Sequence, residues 1–71
     1  MNNNKKNLNP QLNLRAVMNE QNVSSTELGY RLGIKRQTIN NVASGKKDIT
    51  VSRLHDYADA LGVRVKSLFK D

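Results

Sequence analysis

A chain of 71 residues holds one small domain, and a core of that size leaves little room for a substrate cavity. With no cysteine it has no disulfides, thiolate metal sites or cysteine nucleophiles, which fits a reducing cytoplasm. Twelve Lys and Arg against six Asp and Glu give a net charge of +6, so a polyanion is its natural partner, and no apolar run nears the ~20 residues of a membrane span.

Residues 1–9 are nearly all Asn and Lys, and Leu8 is the only apolar side chain after Met1. They form no apolar signal core and offer too little apolar surface to offset ordering. They read as a flexible basic arm carrying Lys5 and Lys6, ahead of a domain over 10–71. Asn9-Pro10 has the chemistry of an N-cap followed by a first-turn proline. With Leu14, Val17, Met18 and Gln21 at helical spacing and Leu12 nearby, it predicts helix 1 over 10–21. Asn22 tolerates the left-handed conformation that ends a helix.

Ser24-Ser25-Thr26-Glu27 matches a capping box, in which the Ser24 hydroxyl accepts from the Glu27 amide and the Glu27 carboxylate returns to the Ser24 amide. Val23 and Leu28 flank it at hydrophobic-staple positions. Helix 2 is expected over 25–32, with Leu28 and Leu32 inward and Gly33 as its stop. After Gly33-Ile34-Lys35, helix 3 is expected over 36–44, with Ile39 and Val42 inward and Gly45 closing it. At about 100° per residue, Gln37, Asn40, Asn41 and Ser44 face away from that core, with Arg36 at the edge. Lys46-Lys47-Asp48 is a polar loop, and Thr50 caps helix 4, whose Val51, Leu54, Tyr57, Ala58 and Leu61 form one apolar stripe up to Gly62. Val63, Val65, Leu68 and Phe69 fit a last short helical turn or two. No segment alternates like a strand, so the expected fold is all-α, a bundle of about five short helices.

Little here supports catalysis. His55 lies off the helix 4 stripe with no second histidine, the carboxylates are scattered, and each glycine stands singly at a helix end or inside a helix. No enzyme, metal site or cofactor is expected. The informative stretch is 25–44, where two short helices joined by a glycine-containing turn make a helix-turn-helix. Arg36, Gln37, Asn40 and Asn41 stock the outer face of helix 3 with the types that read base edges, Arg suiting guanine and Asn or Gln suiting adenine. Two adjacent Asn also give up helix propensity, which a solvated face filled with Glu and Lys would not do. The plainer reading of the same spacing is an antiparallel helix pair with a polar exterior.

The stretch from Val23 to Phe69 resembles the lambda-repressor-like (Cro/C1-type) helix-turn-helix domain. The likeness runs through Val23-Ser24, Glu27-Leu28, Leu32-Gly33-Ile34, Thr38-Ile39 and Ser44-Gly45-Lys46. It continues through Leu54, Ala58-Asp59-Ala60-Leu61-Gly62-Val63 and Leu68-Phe69, and overall covers about 11–70. The resemblance implies a DNA-binding transcriptional regulator whose base-reading residues fall on Arg36, Gln37 and Asn41, with Asn40 next. It places a phosphate at Ser25 and its backbone N–H, puts Lys46 and Lys47 on the DNA backbone, and makes Lys35, Thr38 and Arg53 secondary phosphate contacts.

Five positions depart from the family pattern. Gly29 stands where many members have alanine, and Lys35 replaces the usual Ser or Thr cap of helix 3. Met18 and Ala43 occupy the sites of an Arg–Glu ion pair and are expected to pack together. Arg64 replaces a polar cap, so the last helix is expected to start late or fray.

The resulting expectation is a cytoplasmic, sequence-specific regulator that binds double-stranded operator DNA as a homodimer. Its half-sites would lie about one helical turn, ~34 Å, apart. Helix 5 or the DNA itself would pair the protomers, or the chain is a fragment of a longer repressor. An antitoxin-type module that binds a toxin and represses its own operon would instead need an exposed apolar patch, for which Val63, Val65, Leu68 and Phe69 are the candidates. A non-specific nucleoid binder would have no use for the Asn/Gln-rich face. Some relatives carry a basic arm that wraps DNA, a role open here to Lys5 and Lys6.

Overall fold

The computed structural model describes residues 12–69, and its first helix begins at Leu14, with Asn13 in the preceding cap position. Four α-helices follow one another, α1 (Leu14–Gln21), α2 (Ser25–Leu32), α3 (Arg36–Ala43) and α4 (Val51–Leu61), and a 3-10 helix (Val65–Leu68) closes the fold. The arm, with Lys5 and Lys6, and the Asn9-Pro10 start signal lie outside the described residues.

Helix α1 starts later than the sequence suggests, because the backbone before it is already engaged. Leu12 forms an isolated antiparallel bridge with Phe69, and the Asn13 amide donates to the Leu68 carbonyl at 2.6 Å. The Asn13 side chain donates to the Ser67 carbonyl at 3.4 Å and caps nothing in α1. Leu12 is therefore held against Phe69 and Asn13 against the closing turn, and α1 starts only at Leu14. This bridge is the one extended pairing among the described residues.

The helix ends follow their local chemistry. Asn22 takes a left-handed φ of 60°, and the next amide, of Val23, reaches back to Met18. Gly33 and Gly62 end α2 and α4 in the same conformation. The Ser24 and Thr50 hydroxyls accept from the amides of Glu27 and Arg53 at 3.0 and 3.1 Å. Only half of the capping box forms, since the Glu27 carboxylate turns to Arg31 Nε at 3.1 Å. Val23 and Leu28 are both buried, as a staple requires. Lys35 opens α3 without a side-chain cap, and α3 ends at Ala43, with Ser44 outside it as the cap.

Helix α2 packs against α3 and α4, and the 3-10 helix against α1 and α4. Their shared core includes Leu14, Met18, Leu28, Ile39, Tyr57 and Leu68, all at most 2% exposed. Ala43 is partly buried and packs against the same cluster as Met18. Leu32 is only partly buried, and Val51 is 71% exposed despite its place in the expected stripe. Helical side chains lean toward the N-terminus, so that of Val51, first in α4, projects past the packed layer. Arg64 caps nothing, and the last helix starts at Val65 as a 3-10 turn.

Burial pushes the Tyr57 phenol above its ordinary value of 10.0, against a smaller opposite pull from Arg53. The folded state disfavours the phenolate. Tyr57 thus contributes fully at neutral pH, and that contribution fades as pH rises past 10.0 toward the folded value.

Candidate nucleic-acid interface

The turn Gly33-Ile34-Lys35 sets α3 against α2, and Ile39 and Val42 hold its inner face in the core. The outer face is left with Arg36 and Gln37 exposed and Asn40 and Asn41 half-buried. Gln37 Nε2 donates to Asn41 Oδ1 at 3.2 Å, which joins two expected base-reading residues across one helical turn. Thr38 is half-buried, while Lys35, Lys46 and Lys47 are exposed.

The loop after α3 is fastened to it through one atom. The Asn41 carbonyl accepts from the amides of Lys46 and Lys47 at 2.8 and 3.1 Å, and from the Ser44 hydroxyl at 3.3 Å. Gly45, at φ 85°, lets the chain turn back to make these bonds. Both lysines are thereby carried at the C-terminal end of α3.

Ser25 is tied to two neighbouring helices. Its hydroxyl donates to Asn40 Oδ1 and accepts from Arg15 Nη1 at 3.3 Å, and Arg15 Nη2 donates to the same Asn40 oxygen at 3.1 Å. With the hydroxyl proton committed to Asn40, what Ser25 offers an anion is its first-turn backbone amide. Arg15 was absent from the expected site. It is the one basic residue of α1, and its partners lie 10 and 25 positions away, so no local pattern marks it.

The cations sort into two groups. Among the described residues the ion pairs are Arg31 with Glu27 and Arg53 with Asp56, at 3.1 and 3.3 Å. Arg53 lines a shallow groove between α2 and α4 with Arg31, Asp56 and Asp59, so its charge is already balanced in part. Arg15, Lys35, Arg36, Lys46 and Lys47 face no carboxylate in those pairs. Among the described residues no cluster of three His, Cys, Asp or Glu side chains is placed to hold a metal ion, and no helix is long and apolar enough to cross a membrane.

The arrangement suits a long polyanion with readable edges. Amides and a guanidinium project from a helix held by its neighbours, with uncompensated cations at both of its ends. A family model described as helix-turn-helix matches residues 14–68, which takes in all four α-helices and the closing turn. A comparison with curated proteins finds no match.

Proposed function

Because the chain belongs to the lambda-repressor-like helix-turn-helix family of DNA-binding regulators, we propose that it is a sequence-specific transcriptional regulator that binds a pseudo-palindromic operator as a dimer. The observation that carries this reading is the outer face of α3, with Arg36, Gln37, Asn40 and Asn41 on a helix fixed by the core. An α-helix fits the major groove, where such side chains pair with base edges. The Ser25 amide, Lys35, Thr38, Lys46 and Lys47 hold phosphates on either side. Lys5 and Lys6 of the arm add two more phosphate contacts. A regulator of this kind works in the cytoplasm and needs no cofactor.

A toxin-binding role has less support. Of its four apolar C-terminal candidates, Leu68 is fully buried and Val63 and Val65 pack against the core, which leaves Phe69 as the exposed one.

Selection of bound sites from random duplexes tests the proposal. Enrichment of a palindrome with half-sites about one helical turn apart is expected. Recovery of no preferred sequence would reject site-specific binding. Gln37→Ala, which changes no charge, is expected to cost ~1–3 kcal/mol on the selected site and almost nothing on random DNA. Equal losses on both duplexes would place Gln37 away from the bases. Lys46→Ala should weaken both kinds of binding and flatten the salt dependence by about 0.9 of a unit in slope. An unchanged slope would put that lysine in solvent.

A further inference from the structure

The hydrogen bonds around Asn40 have a direction that the sequence does not reveal. Arginine has only donors, so the Asn40 group facing Arg15 Nη2 must be its oxygen. The Ser25 hydroxyl donates to that same oxygen. Oδ1 has two lone pairs, and these two bonds occupy both. What remains for an outside partner is Nδ2, a donor with no hydrogen-bond acceptor among the described residues. The Gln37–Asn41 pair carries no such constraint, because turning over both amides preserves its hydrogen bond. Asn40 cannot be turned over in this way without setting its NH2 group against an arginine.

We infer that Arg15 is a positioning residue that presets the Asn40 amide as a donor toward the DNA, so that this position reads guanine, with thymine second, and rejects adenine. The inference rests on the proposed reading of α3 as the recognition helix. A free asparagine pairs with adenine by donating to N7 while accepting from N6. With Oδ1 engaged, the acceptor half of that pair is lost. Guanine presents two acceptors, N7 and O6, on one edge, and thymine presents O4. A donor-only amide suits both bases and leaves the adenine N6 hydrogens unmatched. Asn40 and its holder thus depart from the adenine preference that residue type alone assigns to asparagine.

The test uses the full chain and the selected operator, with every half-site position varied through four bases in competition binding. The wild type is expected to show one position where guanine exceeds adenine by about tenfold. Arg15→Leu, which keeps an apolar stem, frees one of the two Oδ1 lone pairs while the Ser25 bond remains, so Oδ1 can accept and adenine should come level with guanine there, with the other positions unchanged. Asn40→Asp keeps the contact to Arg15 but presents an acceptor, so preference at the same position should move to cytosine, whose N4 donates. If Arg15→Leu weakens every sequence alike and lowers the salt slope, Arg15 is a phosphate contact and the inference falls. A readout without DNA separates this from the parent reading. In NMR spectra of the free protein, Arg15 guanidinium protons should show slowed rotation and exchange that Asn40→Ala abolishes. A freely rotating Arg15 guanidinium overturns the presetting whatever the DNA experiments give. A failed site selection with Arg15 held rejects the operator reading and, with it, the base preference, leaving the hydrogen-bond geometry alone.

Discussion

Gly29→Ala is expected to lower the unfolding temperature, although alanine is the better helix former by roughly 1 kcal/mol. A Cβ at position 29 would lie 2.5 Å from the Ile34 carbonyl oxygen and 3.4 Å from the Arg36 amide nitrogen. Both are backbone atoms of the turn and of the start of α3, so no side-chain rotation relieves the contact. The turn must open, and overpacking of this kind costs about 1–3 kcal/mol. In a domain this small, each kcal/mol corresponds to roughly 4–8 °C. Affinity for the operator should fall as well, because the shift moves the amino end of the recognition helix. A variant that melts at or above the wild-type temperature would show that α2 and α3 stand farther apart than this structure has them. The glycine thus permits an approach of turn to helix that any Cβ would hold open.

Leu68→Ala is expected to do more damage still. Leu68 is fully buried at the end of the chain, and the 3-10 helix that carries it packs on both α1 and α4. Its carbonyl also accepts from the Asn13 amide that leads into α1. Removing a buried leucine side chain costs about 2–5 kcal/mol, with the higher values where the site cannot collapse. Natural domains hold only ~0.05–0.15 kcal/mol per residue, so the loss would take a large share of the total. Urea denaturation should show a markedly lower midpoint with a similar slope. Phe69→Ala is the control, since Phe69 is 37% exposed and should cost much less. If the two variants unfold alike, the closing turn frays independently of the rest.

Most of the fold could be read from residues a few positions apart. Ser24, Thr50, Asn22, Gly33 and Gly62 act within one helical turn of themselves, and each does in the structure what its chemistry suggests. The apolar spacing of Leu28, Ile39, Val42, Leu54 and Leu61 also identified core positions. What escaped notice depends on residues far apart in sequence. The start of α1 is decided by Phe69 and Leu68, which no window around Asn9-Pro10 includes. Val51 has the right type and nearly the right angle, but the first turn of α4 extends beyond its neighbours. At the candidate site, residue type placed Arg36, Gln37, Asn40 and Asn41 on the outer side of α3, and the structure puts all four at its exposed or half-buried surface. Type could not show that Asn40 is tied to helices α1 and α2, because Arg15 and Ser25 lie in other elements, 25 and 15 positions away in sequence.

The anchoring of the Lys46–Lys47 loop bears on how such a protein can change its target over evolution. Two amides and a hydroxyl converge on the carbonyl of Asn41, a group every amino acid possesses. Position 41 can therefore exchange its side chain, and with it the base preferred, while the attachment of the loop survives. The same residue thus separates inheritance of the scaffold from divergence of the message. A lineage built this way can drift from one operator to another by single substitutions that remain foldable at every step.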